Sequence, residues 1–228
     1  DMSAFSVKST GSTTARTLAA RFAETVNVKD FGAKGDGVTD DSSAIQEAVN
    51  ALLAQAQYSR QGFGTYIAAH YLTLKFPPGN YLIANPTGVE IPSSYDPVAL
   101  IFDADSGANI IGTGTNIGFN FTGGGFKNQF RRLLFSGFGT AIKWLSNNKN
   151  ESMLQLESVQ SLGNDVFLDT VRYGTPASGW EDGSRSTLID IRDSFFGDTR
   201  VAVKHFTDHM TISNSWFYSK RGSYDALL

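Results

Sequence analysis

Three stretches of this chain, SGFGTAIKW, SLGNDVFLD and FFGDTRVAVK, can be laid over one another so that Gly139, Gly163 and Gly197 coincide. Each glycine follows a bulky apolar residue and precedes an alternating apolar pair: Ile142 and Trp144, Val166 and Leu168, Val201 and Val203. The steps are 24 and 34 residues, and the longer one contains the insertion YGTPASGWEDGSRS, residues 173–186. A second echo is tighter. In MTISNSWF, Ile212, Asn214 and Ser215 repeat Ile191, Asp193 and Ser194 of IDIRDSFF at a step of 21 residues. Units of this length, each with several short strands, cannot bury their inward side chains alone; they must stack and share one apolar column. The pattern predicts a parallel β-helix, an all-β solenoid. A β-sandwich would need hairpins, and no two-residue Asn-Gly or Asp-Gly link joins adjacent runs, the Asp-Gly pairs at 36–37 and 182–183 falling within longer loops.

Composition agrees with a β-rich chain. Of 228 residues 41% are hydrophobic and only 18% charged, too few charged side chains to coat exposed helices. Lys plus Arg number 19 against 22 Asp plus Glu, so no basic field exists to attract nucleic acid. Cysteine is absent, which excludes disulfides, thiolate metal sites and a cysteine nucleophile. No apolar run approaches the roughly 20 residues of a membrane span, so a soluble chain without membrane insertion is expected. The three His (His70, His205, His209) lack metal-ligand spacing, and neither a metal nor a cofactor is expected.

Residues 17–24, with Leu18, Ala19, Phe22 and Ala23, give a short amphipathic helical turn or two, and one further segment is a convincing helix. Thr39 or Asp40 is the expected N-cap, and Ala44, Ile45, Ala48, Val49, Leu52 and Leu53 recur at helical spacing to about Gln57. Asp40 and Asp41 read as caps rather than metal ligands. Residues 1–25 read as an arm, 26–60 as a loop with a capping helix, and 61–228 as coils. The last residues fall mid-unit, so the chain is expected to be part of a longer protein.

VNVKDFGAKGDGVTDDSSAIQEAVN (26–50) closely resembles the N-terminal motif of the pectate-lyase-like right-handed β-helix superfamily, which includes polygalacturonases and bacteriophage tailspikes. LKFPPGNYLI (74–83) and ANIIGTGTNI (108–117) are similar to its first and second coils. GSTTARTLAARFAE (11–24) resembles the neck that joins a virion-binding head to the β-helix of tailspikes. The resemblance implies a tailspike-type protein that binds and degrades a bacterial capsule, O-antigen or exopolysaccharide, as a glycoside hydrolase sooner than a lyase. It further implies a homotrimer attached to a virion tail or baseplate through an upstream segment. Such a protein is made in the host cytoplasm and acts at the host surface. The 17 Phe, 8 Tyr and 3 Trp, more than a slim β-helix is expected to hide, point to the same trimer. The other reading is a glycan-binding or structural β-helix segment without catalysis.

Chemistry on this scaffold belongs to outward side chains. Aligned units put Glu157 over Arg192 and Ser213, and Gln155 over Asp190 and Thr211. Glu157 and Asp190 are then diagonal neighbours on strands about 4.8 Å apart, within reach of the carboxyl separations of glycosidases, ~5 to 9.5 Å. They are the candidate catalytic pair. A lyase would instead use Arg192 as base. The bland reading takes Glu157 with Arg192 and Asp169 with Lys204 as ion-pair rungs, and Asp193 over Asn214 as a polar corner ladder. In the insertion, Tyr173 and Trp180 are expected to stack on sugars, with Glu181, Asp182, Arg185 and the nearby Arg192 bonding hydroxyls.

Overall fold

The computed structural model describes residues 5–22, 25–54, 71–92, 99–105, 107–122, 128–146, 152–172, 187–204 and 209–218. It is a right-handed parallel β-helix with a capping helix at its N-terminal end. Three parallel sheets run along it, two of seven strands and one of five. A full turn is seen in Ser152–Glu157 on sheet 1, Gln160–Leu162 on sheet 2 and Val166–Arg172 on sheet 3, before the chain returns to sheet 1 at Thr187–Arg192. The solenoid begins ahead of the capping helix, because Val26–Asn27 pairs into sheet 1 and Asp36–Asp40 into sheet 2.

Two corners make the turn possible. Between sheets 1 and 2 a single residue adopts left-handed backbone in four successive coils: Arg132, Ser158, Asp193 and Asn214, with φ of 57°, 54°, 50° and 46°. None is glycine, so each carries a steric cost of ~1 kcal/mol, offset by N–H bonds to the next coil, such as Ser158 N–H to Arg192 O at 3.0 Å. Asn214 also donates its side-chain amide to Asp193, forming the expected corner ladder. Between sheets 2 and 3 the left-handed position is held by Gly137, Gly163 and Asp198.

That second corner shifts the glycine alignment. Gly163 stacks with Gly137 rather than Gly139, and Gly197 pairs with Leu162, one position earlier. In sheet 3 the columns run Thr140, Val166, Val201 and Ile142, Leu168, Val203. All six residues of the three apolar pairs are buried, Val166 with 8% exposure being the most accessible.

The capping helix is Ser42–Ala54, and it turns Ile45, Ala48, Val49, Leu52 and Leu53 into the column. Its N-cap is Asp41, whose carbonyl accepts the Ile45 N–H at 2.9 Å. The Asp41 carboxylate reaches back to Lys34 N–H at 2.6 Å and Gly35 N–H at 3.1 Å, tying down the glycine loop. Asp40 instead accepts from Ser42 and Ala84 N–H, fastening the helix to the first full coil. Gly35, with φ of +63°, lies against the Tyr81 ring, where a Cβ would come to 3.0 Å.

Phenylalanine fills the interior. Phe102 and Phe130 stack at 4.6 Å, and a chain of edge contacts runs from Phe130 through Phe135 and Phe167 to Phe196. Nine Phe together with Tyr81 and Trp144 are buried. The column thus absorbs much of the aromatic content that suggested a second subunit.

Candidate functional site: the outer faces of the coils

Parallel in-register stacking places equivalent outward side chains of successive coils next to one another, so each outer face is a set of columns. On sheet 1 one column reads Lys75, Asp103, Arg131, Glu157, Arg192, Ser213. Charge alternates along it. The neighbouring column reads Thr73, Ile101, Gln129, Gln155, Asp190, Thr211. The register brings Glu157 beside Arg192 and Asp190 beside Gln155 and Thr211, so the two candidate carboxylates are diagonal neighbours.

Both are engaged by guanidinium groups. Glu157, about half exposed, lies 3.4 Å from Nε of Arg131. Asp190 pairs with Arg192 on its own strand and accepts the Gln155 side-chain amide at 3.3 Å. The hydrogen bond and charge of Asp190, with the charge of Glu157 behind them, raise the Arg192 pKa above its ordinary value.

Two coils earlier lies a tighter cluster that the repeat analysis did not reach. Asp103 points outward yet is buried; it accepts Lys75 Nζ at 2.6 Å and a two-pronged contact from Arg132 at 2.7 and 2.8 Å. Burial pushes its carboxyl up, but the bonds from Lys75 and Arg132 outweigh that and hold it below the usual carboxylate value. The signal was the alternation of Lys75, Asp103 and Arg131, which only an alignment of the earlier, less repetitive coils would have exposed. Sheet 3 carries a similar column of Glu90, Asn120, Lys143, Asp169 and Lys204, where Lys204 meets Asp169 at 3.6 Å.

The outer face of sheet 2 is different. Six of its seven described strands, from Gly79–Leu82 to Trp216–Tyr218, contain no Asp, Glu, Lys or Arg; the seventh, Asp36–Asp40 beside the capping helix, carries two Asp. Its exposed residues include Leu162, Trp216 and Tyr218.

Tyr173, Trp180, Glu181, Asp182 and Arg185 lie outside the described residues, as do His70 and His205. Among the described residues no cluster of three or more His, Asp or Glu could hold a metal ion, and no helix is long and apolar enough to cross a membrane.

A family model described as rhamnogalacturonase A/epimerase, pectate lyase-like, matches residues 25–108. Among curated proteins the chain is 44% identical over 61 residues to the non-secreted LysM effector LysM19 of Penicillium expansum and to a probable glucan endo-1,3-beta-glucosidase of Arthroderma benhamiae. Those stretches cover 26% of this chain but only 4% and 6% of the two relatives. Among solved structures, the Streptococcus pneumoniae surface protein and adhesin PfbA is 18% identical with a TM-score of 0.45, covering 86% of this chain and 60% of that one. Geobacillus virus E2 ORF18 is 15% identical with a TM-score of 0.35, covering 90% of this chain and 59% of that one. The described residues form a right-handed parallel β-helix, and residues 25–108 of the 228 match the pectate lyase-like family model.

Proposed function

We propose that this chain is a segment of a tailspike-type virion protein that binds and degrades a bacterial surface polysaccharide: capsule, O-antigen or exopolysaccharide. The observation that carries the reading is the solenoid itself, whose outward side chains form continuous columns along a rigid axis and so present a repeating surface to a repeating polymer. The match of a short stretch to a probable glucan endo-1,3-beta-glucosidase supports the same substrate class. The neck-like residues 11–24 support a virion attachment and a homotrimer. The 173–186 insertion supplies Tyr173 and Trp180 as stacking groups, with Glu181, Asp182, Arg185 and Arg192 for hydroxyls.

In the catalytic version Glu157 and Asp190 flank the scissile bond, one carboxyl protonating the leaving oxygen and the other activating water or attacking the sugar. The flanking guanidiniums favour a second version, binding without cleavage at this pair, because Arg131 and Arg192 already engage the carboxylate oxygens that would have to meet the sugar. Arg192 is a poor lyase base, since Asp190 stabilises its charged form. Incubation with purified bacterial polysaccharides, followed for new reducing ends and unsaturated uronate absorbance, separates the versions. Cleavage abolished in Glu157→Gln and Asp190→Asn with binding retained supports the pair; full cleavage in both variants removes it. Light scattering should report a trimer, and a monomer counts against the tailspike assembly.

A further inference from the structure

Resting on that polysaccharide-binding reading, we infer that the outer face of sheet 2 is a track for an uncharged glycan lying along the solenoid axis, with Phe195, Trp216 and Tyr218 as its stacking platform. The register sets these rings side by side: Trp216 stacks over Phe195, and Tyr218 over Gly197, which itself stacks over Leu162. The Phe195 ring lies across Gly197, where a Cβ would meet it at 2.7 Å and the Leu162 side chain at 2.9 Å. Glycine is therefore what lets the ring fold flat and join Leu162 in one surface. Trp216 and Tyr218 stand on the last described coil, 63% and 53% exposed, and Phe195, one coil further in, is still partly exposed beside them.

Earlier coils of the same two columns supply neutral polar groups. Asn109 donates to Asn80 at 3.4 Å, Ser136 donates to Asn109 at 3.1 Å, and Gln160 is exposed further along. Apolar rings beside amides and hydroxyls suit a pyranose, which presents C–H faces and hydroxyl edges. Coils stand about 4.8 Å apart, roughly the advance of one sugar in an extended glycan. Charge decides the class. Among the described residues the six strands of the strip hold no cation to neutralise a uronate or sialate, whereas sheets 1 and 3 beside it are laced with ion pairs, so an acidic polymer would be desolvated on these strands without compensation.

The test presents the full chain to an array of purified bacterial surface polysaccharides, some neutral and some acidic, alongside Trp216→Ala/Tyr218→Ala and a Val38→Ala control at the far end of the same sheet. The expected result is capture by a neutral polysaccharide, weakened at least ~10-fold in the double variant and unchanged in the control, with all three proteins sedimenting alike. Undiminished binding by the double variant, or capture by acidic polymers only, would overturn the track while leaving the polysaccharide-binding reading intact. A drop in assembly mass in the double variant would overturn it too, by making the strip a subunit interface. Capture by no polysaccharide would sink both.

Discussion

Sheets 1 and 2 are alike inside and opposite outside. Inward, both bury rings in the same column, Phe102 and Phe130 from sheet 1 and Phe135 and Phe196 from sheet 2. Outward, sheet 1 alternates Lys75, Asp103, Arg131, Glu157 and Arg192, while sheet 2 carries amides, hydroxyls and rings. The difference follows from parallel stacking. Equivalent positions lie about 4.8 Å apart, close enough that like charges would repel from coil to coil, so a charged column is tolerated only if its sign alternates. A neutral column escapes the constraint and is free to be shaped by what it touches. Alternation also specifies register, since slipping a coil by one residue takes the charged groups off the outer face.

The largest expected effects test the likeness. Phe130→Ala and Phe135→Ala should each cost about 3–5 kcal/mol in urea unfolding, and a wide gap between them would show that the two sheets do not share one core. Next comes Asp103→Asn, which leaves the partly exposed Lys75 and Arg132 facing a neutral amide; a loss of about 1.5 kcal/mol is expected at neutral pH. Because the folded-state pKa of Asp103 is depressed, its contribution is present above the ordinary carboxylate value near pH 4 and is lost as pH falls through the folded value. Wild type and variant should therefore converge in stability in acid, as thermal melts across pH would show. Smaller still, Lys143→Glu puts an acid beside Asp169 and should cost ~0.5–1 kcal/mol. Gln160→Glu on the neutral face should change stability by less than ~0.5 kcal/mol. Equal effects would erase the contrast between columns.

Much of the fold was readable in the chain, and the misses have physical causes. The step of 21 residues between Ile191 and Ile212 located the sheet 1 register correctly because both strands lead into the same left-handed corner, at Asp193 and Asn214. Aligning on glycine misplaced the other corner, since its left-handed slot holds Asp198 where the two earlier coils have Gly137 and Gly163. The resulting two-residue offset between Ile142 and Val166 still kept the inward residues inward, because side chains alternate with period two. At the helix start, both Asp40 and Asp41 have capping chemistry; only the fold reveals that Asp41 occupies the cap and spends its carboxylate on the glycine loop. Glu157 and Asp190 were placed as neighbours from sequence, but their pairing with Arg131 and Arg192 depends on side-chain geometry. The neutral face went unnoticed because it is defined by what its strands lack.

The most direct test of this division between faces is the salt dependence of polysaccharide binding by the unmodified chain. Exposed charges are screened as the Debye length shrinks from about 30 Å at 0.01 M salt to about 3 Å at 1 M, whereas ring stacking and neutral hydrogen bonds are little affected. If the glycan lies on the uncharged strip of sheet 2, its affinity measured by titration calorimetry should stay nearly constant across that range. A steep fall in affinity with salt would place the polymer on the charged columns of sheets 1 and 3 and contradict the account.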